Sequence, residues 1–246
     1  MITILNKLLK PAIVLSLVII PVIFSSCEEE KETEPVIETS TMTDVDGNVY
    51  KTVKIGNQWW MAEDLKTTKF RDGSPIQQMQ SATGWTDQAP MYCLFDNNPQ
   101  SPGLLYNWFA ISASPQIAPE GWRIPSDEDW KELERYLGMD GVEADKTSWR
   151  GTNEGNDMKI EGTKGWDTYG SNWPENKTGF SAIAGGSRLW DGTWSVPGLL
   201  GAGFWWSATE YESDESWYRH LDYKRADIFR YHALKNHGFA VRCIKE

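Results

Sequence analysis

Beyond residue 40 the chain carries two cysteines, Cys93 and Cys243, and three histidines, His220, His232 and His237. These five are its candidates for metal ligation and for thiolate or imidazole chemistry. A helical zinc or iron site needs histidines four residues apart, or a histidine beside a carboxylate at ligand spacing. No pair here meets that requirement. Asp44, Asp46 and Asn48 in "DVDGN" copy the first ligand spacing of a calcium loop, but the distal bidentate Glu is missing, so Asp-Gly-Asn reads as a turn. A G-x-S-x-G elbow and a phosphate-cradling glycine loop are also missing. A carboxylate pair for acid and base work stays open, because sequence alone does not place Asp and Glu in space. The expectation is a chain that is not an enzyme, with no catalytic residue, no metal centre and no cofactor. The one reservation is calcium held structurally by acidic loops.

Binding chemistry is better supplied, since the 246 residues include fourteen tryptophans. Aromatic faces pack against the apolar faces of sugar rings, and nearby polar groups fix the hydroxyls. The candidate ligand-binding set is Trp166, Trp173, Trp190 and Trp194, with Arg188, Asp191 and Glu210 as polar neighbours. Trp122, Trp130, Trp205 and Trp206 read instead as core.

Several elements must position these groups. "VYKTVKI" alternates and is followed by a Gly56-Asn57 turn and "QWWMAEDL", which predicts a hairpin. "LLYNWFAI" suits a strand or a short helix. In "GWRIPSDEDWKELERYLG", Ser126 and Asp129 form a capping box, and three acidic residues lie at the positive end of the helix dipole. Trp130, Leu133 and Leu137 share one face, and Gly138 ends the helix. Residues 141–179 read as long ordered loops, and the remainder as strands of an antiparallel sheet.

Residues 1–26 read as a lipoprotein signal peptide. Lys7 and Lys10 precede the uncharged run Pro11 to Phe24, which is shorter than the roughly 20 residues of a spanning helix. The run ends in "IFSSC", which resembles a bacterial lipobox and makes Cys27 the acylated residue and the membrane anchor. Residues 27–42 are acidic, lack aromatic residues and read as a flexible tether, with the domain proper over 43–246. The acidic run after Cys27 resembles the surface-export signal of Bacteroidetes lipoproteins, which implies an outer-membrane protein facing the cell exterior. A net charge of −11 argues against nucleic acid as a partner. In an oxidising compartment Cys93 and Cys243 read as a disulfide pair.

"IGNQWWMAEDL", "YNWFAI", "GWRIPSDEDW", "GFSAIAGGSR", "GFWWSATE" and "GFAVRCIKE" together resemble the Fibrobacter succinogenes major paralogous domain, in order and at about its spacing. That family is similar to the C-type-lectin-like fold, which implies an α+β single domain with small antiparallel sheets, flanking helices and long ordered loops. The family commonly places cysteines at the positions of Cys93 and Cys243, which supports the disulfide. "WRIPSDEDW" also resembles the helix start of formylglycine-generating enzymes. Their copper site takes two nearby cysteines, and only Cys243 lies in the last third here. Calcium-dependent lectins use Glu-Pro-Asn and Trp-Asn-Asp runs, whereas this chain has "WPEN" at Trp173 to Asn176 and no Trp-Asn-Asp. The function this implies is binding or adhesion at the cell surface, with a glycan or another surface protein as partner. The alternative is a structural component.

Overall fold

The computed structural model describes residues 36–163, 165–171, 173–195 and 201–246; Cys27, with the signal peptide and most of the tether, lies outside them. In chain order the strands are β1 Thr39–Thr43, β2 Val49–Ile55, β3 Gln58–Met61, β4 Gln77–Gln78, β5 Met91–Cys93, β6 Leu105–Tyr106, β7 Trp122–Arg123, β8 Ser148–Arg150, β9 Ala202–Glu210, β10 Glu215–Asp222, β11 Ile228–Leu234 and β12 Ile244–Lys245. The helices are α1 Trp108–Ile111, α2 Asp127–Tyr136, α3 Gly141–Asp145 and α4 Glu154–Met158. Mixed helices and mostly antiparallel strands make the protein α+β, as the sequence implies.

Strand alternation acts first. β2 turns through Gly56-Asn57 into β3 with Ile55 opposite Gln58, the predicted hairpin. The "DVDGN" turn also closes a hairpin, because Asp44 Oδ1 accepts from the amides of Asp46 and Asn48 at 3.0 and 2.9 Å. Asp46 turns instead to Thr68 and Lys69. The preceding residues pair as β1 along β2, so the folded chain begins earlier than the tether reading allowed: Thr39 to Met42 are strand. The five-stranded sheet then runs β1-β2-β3-β12-β7, with the last strand of the chain between β3 and β7.

Local signals also set α2. The Ser126 hydroxyl accepts from the Asp129 amide, and the Asp129 carboxylate reaches back to the Ser126 amide at 2.7 Å. Gly138 takes φ +110° just beyond the helix. "LLYNWFAI" supplies both alternatives, a strand at β6 and then α1, capped by the Asn107 side chain. The stretch expected to be long loops contains α3, β8 and α4.

A second sheet, β8-β11-β10-β9, and a small third one, β4-β5-β6, complete the framework. Two apolar clusters lie between the layers. One gathers Val53, Trp60, Trp130, Leu133, Trp166, Phe180 and Trp205; the other gathers Met42, Tyr50, Met61, Trp122, Trp206 and Val241. Trp122, Trp130, Trp205 and Trp206 are therefore core, as expected. Between α2 and the second sheet runs a buried ionic seam. Asp127 receives Arg219 at 2.8 Å and Arg230 at 2.7 Å, and Glu134 receives Arg219 at 2.6 Å and Arg150 at 2.8 Å. Asp64 similarly receives Arg242 at 2.7 Å and the Trp205 indole N–H at 2.9 Å, tying the "AEDL" and "VRC" stretches together.

The cysteine pairing needs correction. Cys93 and Cys243 are both free and buried, and they belong to different apolar clusters, Cys93 on β5 and Cys243 just before β12. Burial pushes the Cys93 thiol up to about 12, with Arg188 opposing the shift, and raises Cys243 further. Both remain protonated thiols at neutral pH, held apart in separate clusters.

Candidate surface binding site

Four of the seven candidate residues lie on one hairpin, residues 188–194, closed by an Arg188–Trp194 bridge and a Leu189 amide donating to the Thr193 carbonyl at 2.8 Å. Asp191 makes the turn: its carboxylate accepts from the Thr193 amide at 2.9 Å and hydroxyl at 2.7 Å, and these bonds lower its pKa. Gly192 has φ +82°, and a Cβ there would meet the Ala82 carbonyl oxygen at 2.5 Å, so no other residue fits.

Arg188 is 1% exposed and is not a surface ligand group, which corrects its assignment. Its guanidinium donates to the carbonyls of Met79 at 2.7 Å, Gly192 at 3.1 Å and Gln80 at 3.3 Å. It also stacks at 4.6 Å from the Trp85 ring and 4.9 Å from Trp194. Trp194 packs on Phe95 at 5.3 Å as a wall of this stack. Trp166 is corrected likewise: it is 1% exposed, donates to the Ala182 carbonyl at 2.8 Å and belongs to the core.

Trp190, 52% exposed, stands at the tip of this braced hairpin. Its carbonyl accepts from the Asn236 side chain at 3.1 Å, while the Asn236 carbonyl accepts from the Trp85 indole at 2.6 Å. Asn236 also lines a cleft of about 240 Å³ together with Thr86, Gln88, Phe109, Asp214 and Lys235. Lys235 is buried and donates to Glu210 at 2.5 Å and to the Ser213 carbonyl at 2.8 Å. The structure thus links Trp190 and Glu210 to the lining of one cleft, through Asn236 and Lys235, while Asp191 serves the hairpin turn. Trp173, 54% exposed, lies on a separate loop.

The histidines serve as ring partners. His232 is sandwiched between Tyr211, 3.8 Å away at 12°, and Tyr231, 4.1 Å away at 22°, and its Nδ1 lies 2.5 Å from the Glu215 carboxylate. His220 stacks on Phe204 at 4.3 Å, and burial, reinforced by Lys159, pushes its pKa down to about 4. Burial also lowers His237. Among the described residues, no three His, Cys, Asp or Glu side chains are grouped to hold a metal ion.

Sequence reasoning missed Asn236, Lys235, Gln88 and Asp214. Their loops are far apart along the chain, and the only local hint is the polar turn "LKNHG" after a strand. No curated protein and no solved structure matches the chain. A family model does match, over residues 53–245 and hence over all but the edge of the described fold: the protein belongs to the Fibrobacter succinogenes major domain family (Fib_succ_major).

Proposed function

We propose that this chain is a non-catalytic glycan-binding module of the cell surface, anchored in the outer membrane by lipid on Cys27 and built on a C-type-lectin-like framework. One observation carries the reading: a half-exposed Trp190, on a hairpin braced by Arg188, whose carbonyl is bonded to Asn236 in the lining of a cleft of about 240 Å³. The cleft offers donors and acceptors together, from Thr86, Gln88, Asn236 and Asp214, which suits sugar hydroxyls. Its volume is below the roughly 300–1,000 Å³ of drug-sized sites and fits a single sugar ring. The framework reading draws on β3 and β12, where strands from the two ends of the domain pair. The anchor reading rests on "IFSSC" and the uncharged run before it.

The test is a glycan array probed with the full chain in a detergent without a sugar headgroup, with calcium and again with chelator. Saturable binding is expected in both conditions, weakened at least tenfold by Trp190→Ala. A blank array from folded protein would sink the glycan reading. It would favour a protein partner, for which the exposed Tyr211–His232–Tyr231 stack is the supporting feature. The anchor is tested separately: Cys27→Ser is expected to move the protein from the membrane fraction to the soluble fraction, and unchanged retention would defeat it.

A further inference from the structure

The five-stranded sheet carries a second recess, of about 360 Å³ and different chemistry. Register places its residues on one face. Ser40 lies opposite Thr52, Lys54 opposite Trp59, and Lys245 opposite Trp122, so Ser40, Thr52, Trp59, Lys245 and Trp122 follow one another across β1, β2, β3, β12 and β7. All five line the recess.

Three properties set it apart. Ser40, Thr39 and Thr41 bring exposed hydroxyls to the recess, above the buried Thr52. Trp59, partly exposed, offers apolar ring surface, with the buried Trp122 beside it in the lining. Lys245 is exposed and has no ion pair among the described residues. No Asp or Glu lines the recess. The lining is therefore rich in donors, carries one uncompensated cation and includes two aromatic side chains, so it complements a ligand that is apolar on one face and rich in acceptors.

We infer that this recess is a second binding site, for a carboxylate-bearing pyranose: a hexuronate unit of an acidic polysaccharide. Lys245 meets the carboxylate, Trp59 covers the apolar side of the ring with the buried Trp122 packed behind it, and the hydroxyls of Ser40 and Thr41 meet the ring's oxygens. The Trp190 cleft does not suit the same sugar, because its Lys235 is already neutralised by Glu210 and Asp214 lines it. The inference is thus independent of the glycan reading of that cleft.

The experiment is isothermal titration of the full chain, in a zwitterionic detergent, with tetragalacturonate and separately with neutral galactotetraose. Saturable binding of tetragalacturonate is expected, at least tenfold tighter than the neutral oligomer and weakening with salt. Trp59→Ala should weaken it at least tenfold, and Trp190→Ala should leave it unchanged. Lys245→Gln, at an exposed position that cannot unfold the protein, should remove the preference for the acidic oligomer. Absence of saturable binding, equal binding of the neutral oligomer, or full binding by Lys245→Gln would each overturn the inference.

Discussion

Asp127→Asn is expected to destabilise the protein by about 3 to 5 kcal/mol, the range for removing one partner of a buried ion pair. Asp127 and Glu134 are the two carboxylates set against three buried guanidiniums, those of Arg150, Arg219 and Arg230. Arginine does not shed its proton, so the variant keeps all three positive charges with one counter-charge left. Asparagine preserves the shape and one acceptor, which isolates the loss of charge from any loss of packing. Acid should reproduce part of the effect. Burial alone would raise the Asp127 pKa, but the bonds and charges of Arg230 and Arg219 outweigh it and hold the group at about 2, against 3.8 when unperturbed. A depressed carboxylate stabilises the fold above its unfolded value, and that contribution is lost as pH falls from about 4 through about 2, worth about 2 kcal/mol. Urea titrations of parent and variant at pH 7, 4 and 3 check both parts. Equal stability at pH 7, or an equal acid slope in the two proteins, would refute the account.

Arg188→Ala is expected to cost a similar amount, about 3 to 5 kcal/mol, by a different route. Among the described residues the side chain has no carboxylate partner; three carbonyls and two indole faces hold it. Truncation leaves those carbonyls unmatched and opens a gap between Trp85 and Trp194. Arg188→Lys should recover less than half of the loss, since an ammonium cannot reach three carbonyls while lying flat between two rings. Thermal unfolding gives the stability. Indole quenching gives a second readout, because the Trp190 hairpin should become mobile in both variants. A loss below about 1 kcal/mol for Arg188→Ala would mean that the stack does not brace the hairpin.

These two residues mark what can be read from a linear chain. Ser126, Asp129 and Gly138 declare α2 because their partners lie within a few positions. The β2–β3 hairpin is legible for the same reason. Arg188 reads as a surface group because arginine is rarely fully buried, and two of its three compensating carbonyls lie 108 and 109 residues away. Asn236 escapes notice on similar grounds, since Trp85 is 151 residues distant. The cysteines mislead in the opposite sense: a plausible pair by count is two separate buried thiols once the sheets are in place. Thr52 looks like any alternating strand residue until β1, β3, β7 and β12 are laid beside it.

The central place of β12 has a temporal meaning. The five-stranded sheet is joined by β12, Ile244–Lys245, which pairs with β3 far back in the sequence, and Asp64 waits for Arg242, 178 positions away, to neutralise it. Structures whose contacts span most of the sequence close slowly, because the entropy of bringing distant segments together precedes any gain. Until β12 is in place, β7 lacks its partner strand and Asp64 lacks the Arg242 guanidinium.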